Sequence, residues 1–158
     1  MGNRLLNGRF TSGLLSPWSN FGPDDYQLEL DDDEVVYGPR SMRVGISHEI
    51  GGDEYALARA ATLPVSSGDP YHLRFRVKCS SVNVKFSLLV IHRPSGLGGP
   101  SLLAGSLLAS TLPTGWNAFD YTVTPTSSEA FVELWPQASP GFYVDDADWY
   151  FDDLFYGD

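Results

Sequence analysis

The sequence predicts an all-β chain, a two-layer antiparallel β-sandwich of the jelly-roll kind. Apolar and polar residues alternate in short runs, most clearly Tyr71, Leu73, Phe75 and Val77 against His72, Arg74, Arg76 and Lys78. The chain's 16 glycines and 11 prolines cut these runs short and leave no long helical pattern. About nine strands with turn signals between them must bury their apolar faces against one another, which two packed sheets achieve.

Composition bounds the rest. A chain of 158 residues is long enough for a single domain, residues 1–158, with its own core. Its 20 acids against 10 lysines and arginines give a net charge of -10. Duplex nucleic acid, which needs clustered Lys and Arg, is excluded as a partner. A neutral ligand or a metal ion is compatible. The one cysteine, Cys79, excludes an internal disulfide and reads as a structural residue at a strand end. No signal peptide is visible, since no apolar run follows Arg4. No stretch reaches the ~20 apolar residues of a membrane span. Leu6 stands where a myristoylation signal wants Ser or Thr.

Taken in order, Asn7-Gly8 signals a turn, with Phe10 and Leu14 or Leu15 as apolar anchors. Trp18, after Pro17, reads as a core or rim residue or as a stacking platform for a ligand. Tyr26, Leu28 and Leu30 alternate with acids as a short strand, and Asp31-Asp32-Asp33 follows as a solvated turn. Gly38-Pro39 turns the chain after Tyr37, and Met42, Val44 and Ile46 share one face of the next strand. Residues 55–61 read as a strand, and 64–70 as a loop.

The strand from Tyr71 has an apolar face and a basic one. The basic face is either balanced by neighbouring acids or forms the polar floor of a groove. Residues 82–91 follow, with Leu88 and Val90 inward, and His92 after them reads as structural. Residues 102–109 are apolar without clean periodicity and suggest an exposed patch or subunit contact. A strand runs to Val123. In the next, Val132 and Leu134 share the inner face, which turns Trp135 outward. In the last strand Tyr143, Asp145, Ala147 and Trp149 share a face. If Trp149 is core, Asp145 turns inward and needs a cation, an arginine or backbone N–H groups. Residues 151–158 read as an acidic, aromatic C-terminal tail docked on a neighbour.

In order along the chain come Asn7-Gly8-Arg9-Phe10, Trp18, Ser41-Met42-Arg43-Val44 and Tyr71-His72-Leu73-Arg74-Phe75-Arg76-Val77-Lys78. Thr114-Gly115-Trp116 and Tyr143-Val144-Asp145-Asp146 follow. This series resembles the galactose-binding-domain-like jelly rolls, in particular the carbohydrate-binding modules of the xylan- and glucan-binding group. The resemblance implies a structural calcium ion held by Asp145 with backbone oxygens near Gly8 and Arg43. The family's Glu after the Phe is Thr11 here, which removes one strong ligand. The resemblance further implies ligand binding by exposed aromatics and polar groups, with Trp18, Tyr37, Tyr55, Arg74, Arg76 and Trp135 as candidates and Trp116 structural.

The first functional expectation is therefore a non-catalytic module, extracellular, binding a polysaccharide or cell-surface glycan. The alternative is an oligomeric virion component, a phage capsid decoration or a tail- or fibre-associated protein, whose partners are its own copies or capsid and tail proteins. A glycoside hydrolase is the third, with Glu133 and Asp120 as a carboxylate pair. Neither membrane insertion nor catalysis is expected.

Overall fold

A computed structural model describes residues 3–5, 7–16, 18–20, 26–46, 58–59, 63–80, 86–96, 98–138 and 147–158. Their strands are β1 (Ser19–Asn20), β2 (Tyr26–Asp31), β3 (Ser41–Ile46), β4 (Ala58–Arg59), β5 (Leu63–Pro64) and β6 (Tyr71–Cys79). Then come β7 (Phe86–Arg93), β8 (Leu102–Leu108), β9 (Asn117–Val123), β10 (Glu129–Ala138) and β11 (Ala147–Gly157). One sheet has the order β1-β4-β10-β7-β8, with β5 paired to β10, and the other the order β2-β3-β11-β6-β9. Every described pairing is antiparallel. The two-layer antiparallel sandwich is as the alternation predicts.

The core lies between the sheets. β6 alternates as its sequence does: Tyr71, Leu73, Phe75 and Val77 are buried, while His72 and Arg74 are exposed. Val132 and Leu134 from β10 and Leu88 and Val90 from β7 meet them from the other layer. Trp149 and Phe151 from β11 complete the packing. His92 is structural: it is buried and its Nε2 lies 2.9 Å from the Tyr156 hydroxyl. Phe10 and Trp18 are both buried in the core cluster. Leu15 packs against that cluster, whereas Leu14 is exposed.

The end of the chain differs from the tail that its acids suggest. Residues 151–157 continue β11, the central strand of its sheet, flanked by β3 and β6. The register against β6 shifts between Asp152 and Phe155, where β11 carries one extra residue. Asp153 takes a positive φ of 52° there, and the pair forms a β-bulge. The bulge reverses the parity of the strand. Before it Trp149 and Phe151 point inward; after it Leu154 and Tyr156 do, and Phe155 turns out.

The N-terminal turn docks on this bulge. The Leu154 N–H donates to the Gly8 carbonyl at 3.0 Å, and the Asn3 side-chain amide donates to the Leu154 carbonyl at 2.7 Å. Gly8 is required there, since a Cβ would lie 2.1 Å from the Leu154 oxygen. Asn7 holds a positive φ of 58°, which its type tolerates better than most. Its side-chain amide donates to the Leu14 and Ser16 carbonyls and closes the following loop.

Candidate functional site

The outward face of the β2-β3-β11-β6-β9 sheet carries the basic side chains of β6. Two of the four meet acids. Lys78 pairs with Glu34 at 2.5 Å, and His72 Nδ1 lies 2.9 Å from Asp120 Oδ1. Nearby, Arg43 on β3 pairs with Glu29 and with Asp148. Arg74 and Arg76 behave otherwise. Each has a carboxylate across the ladder, Asp120 opposite Arg74 and Asp152 opposite Arg76. Among the described residues neither arginine forms an ion pair.

Both acids are engaged elsewhere, Asp120 with His72. Asp152 is buried under the loop after β2. Its Oδ2 accepts the N–H groups of Val36 and Tyr37 at 2.9 and 2.8 Å, and Oδ1 accepts the Asp153 N–H at 2.7 Å. The loop is shaped for this by Asp31, whose Oδ1 accepts the Asp33 and Glu34 N–H groups.

The two guanidiniums rest on aromatic rings instead. Arg74 lies 4.2 Å from the centroid of Phe155, the ring that the bulge turned outward. Arg76 lies 5.5 Å from the centroid of Tyr37, and Arg9 lies 4.7 Å from the same ring. Such contacts contribute about 0.5–1 kcal/mol each at exposed sites. Arg9 also pairs with Asp153 at 2.7 Å, which raises the pKa of the arginine through that hydrogen bond and the carboxylate charge. Arg9, Arg74, Arg76, Asp120, Asp153 and Phe155 line a groove of about 400 Å³. That volume falls in the range of small-molecule sites.

The predicted binding residues thus separate. Arg74 and Arg76 line this groove, and Tyr37 lies beside it against Arg9 and Arg76. Trp135 is half-buried on the outward face of β10, in the other sheet, as the burial of Val132 and Leu134 requires. Two residues before it, Glu133 is buried and pairs with Arg93 at 2.7 Å. Trp18 is 4% exposed and offers no face to a ligand, because it fills the core. Trp116 is half-buried just before β9. Tyr55 lies outside the described residues. The structure adds Arg9, Asp153 and Phe155 to the predicted residues of the groove. Phe155 needs the parity reversal of the bulge to reach the groove.

The carboxylates considered for hydrolysis do not form a pair. Glu133 belongs to β10 and Asp120 to β9, in different sheets.

Of the expected calcium ligands, Asp145 lies outside the described residues. The Gly8 carbonyl accepts the Leu154 N–H, and the Arg43 side chain is engaged with Glu29 and Asp148. Among the described residues no three His, Cys, Asp or Glu side chains gather as metal ligands. No helix of the described residues is long and apolar enough to cross a membrane.

No protein-family model matches the chain. No curated protein matches it. Solved structures do. A family 61 carbohydrate-binding module in complex with β-1,4-galactotriose aligns with TM-score 0.65 at 13% identity, over 99% of this chain and 98% of its own. A family 16 carbohydrate-binding module aligns with TM-score 0.65 at 17% identity, over 99% and 100%. The enzymatically active domain of tailspike protein 4 of bacteriophage CBA120 aligns with TM-score 0.67 at 16% identity. The chain covers 21% of that tailspike domain's length. At these identities the likeness shows the fold: the chain has the β-sandwich of carbohydrate-binding modules.

Proposed function

We propose that this chain is a non-catalytic glycan-binding module, and that its ligand occupies the groove of β6, β9 and β11. One observation carries the site. Arg74 and Arg76 pass over the acids opposite them and rest on Phe155 and Tyr37, and among the described residues no acid takes up their N–H groups, which suit hydroxyl or carboxylate oxygens. The reading is supported by the solved carbohydrate-binding modules that share the fold over nearly their whole length. Separation of Glu133 from Asp120 removes the carboxylate pair that a hydrolase reading had proposed. The polysaccharide partner and an extracellular location follow from the same reading.

A glycan array tests it. Binding that is lost in Phe155→Ala and kept in Trp135→Ala supports the groove. Loss in Trp135→Ala alone moves the site to the outward face of β10. No binding to any glycan rejects the function.

The tailspike match favours a second reading, a structural component of a phage particle. That reading expects a trimer or higher oligomer, built through apolar surface such as Leu102 and Leu103, which are 51% and 60% exposed. A monomeric mass in solution rejects it.

A further inference from the structure

We infer that the groove selects an acidic glycan, one whose sugars carry a carboxylate as uronic acids do; this rests on the glycan-binding reading above. The grounds lie in how the charges are arranged. The chain carries twice as many acids as basic residues, yet two arginines side by side on β6 have no acid partner among the described residues. The carboxylates around them are each engaged by another group: Asp152 by three backbone N–H groups, Asp120 by His72, Asp153 by Arg9. The groove therefore presents two guanidiniums that no described acid engages directly. Arg9 enters from the N-terminal turn and brings a third guanidinium to the same cavity.

A planar carboxylate fits this arrangement. Guanidinium meets carboxylate through two parallel N–H···O bonds, a geometry that a neutral hydroxyl cannot reproduce. Phe155 and Tyr37 support the guanidiniums of Arg74 and Arg76 before any ligand arrives, which lowers the ordering cost of binding. Asp120 and Asp153, which also line the groove, act in the other direction. They repel indiscriminate polyanions and leave room for a carboxylate that reaches the arginines directly.

The test is isothermal titration with oligogalacturonate, its fully methyl-esterified form and dextran sulfate, in about 0.15 M salt. The expected result is binding of oligogalacturonate at least about tenfold tighter than the methyl ester, a difference of about 1.4 kcal/mol. Arg74→Gln and Arg76→Gln should each lose about tenfold, and Arg74→Lys should also weaken binding, since it keeps charge but loses the fork. Unchanged thermal melts of these variants show that they fold, and the ester comparison needs no variant.

Equal affinity for acid and ester overturns the inference. So does dextran sulfate bound as tightly as oligogalacturonate, which marks plain polyanion attraction. Neutral glycans bound on the array while oligogalacturonate is not bound also overturns it, and leaves the glycan-binding function standing. A chain that binds no glycan at all removes both.

Discussion

Arg76 and Asp152 stand opposite each other across the β6–β11 ladder and do not pair. The acid serves the backbone of the loop above it, and the arginine rests on the ring of Tyr37 in that same loop. One loop, residues 34–37, thereby takes the acid away from the arginine and supplies its aromatic support. The groove follows from this division.

Asp152 is the structural half of it. Asp152→Ala leaves the N–H groups of Val36, Tyr37 and Asp153 without their acceptor, at an expected cost of about 2–4 kcal/mol. Asp152→Asn, which keeps one oxygen, should lose less. Urea unfolding of both variants measures this, and an Asp152→Ala midpoint equal to wild type would show that the loop is held by other contacts.

Gly8→Ala should destabilise by about 2 kcal/mol or more, because the added methyl group enters the space of the Leu154 carbonyl. Gly98→Ala is the control, with open space around its Cβ, and should be near neutral. The two thermal melts, side by side, decide whether the N-terminal turn is seated on the bulge.

His92 makes stability depend on pH. Burial lowers its pKa to about 4 from 6.5, so the folded chain holds it neutral where the unfolded chain would protonate it. The stability is fully present above pH 6.5 and is lost as pH falls toward 4, by something on the order of 2 kcal/mol. His92→Gln should remove that share of the acid sensitivity while keeping a polar partner for Tyr156. Matching pH profiles for the two proteins between 6.5 and 4 would contradict it.

The calcium ion implied by the sequence resemblance is a proposal that centres on Asp145. If the ion is held, a chelator lowers the melting temperature of the wild type and leaves Asp145→Ala unmoved. A wild-type melt unaffected by chelator rejects the ion.

Much of the frame was legible because it rests on period 2. The alternation of β6, the inward turn of Val132 and Leu134, the burial of Trp149 and the Asn7-Gly8 turn all follow from local pattern. The structural role of His92 was legible too. What was not legible arises where one residue breaks the period. Asp152 and Asp153 read as part of an acidic, aromatic tail docked on a neighbour, and nothing local shows that three backbone N–H groups would bury the first and a bulge would turn the second. Strict alternation then misplaces Leu154, Phe155 and Tyr156 by one face. Arg9 reaches the groove through Asp153, 144 residues away, a contact that only the fold can make. Trp18 was ambiguous between core and platform, and the packing of the two sheets decided for the core.

The groove itself is tested most directly by backbone and arginine side-chain chemical shifts of the isotope-labelled chain, titrated with the glycan it binds best. The account predicts that the largest shifts fall on Arg74, Arg76, Asp120, Asp153 and Phe155, and on the side-chain Nε–H signals of Arg74 and Arg76. Shifts gathered instead around Trp135 and Arg93, with Arg74 and Arg76 unmoved, would place the ligand on the opposite sheet and contradict it.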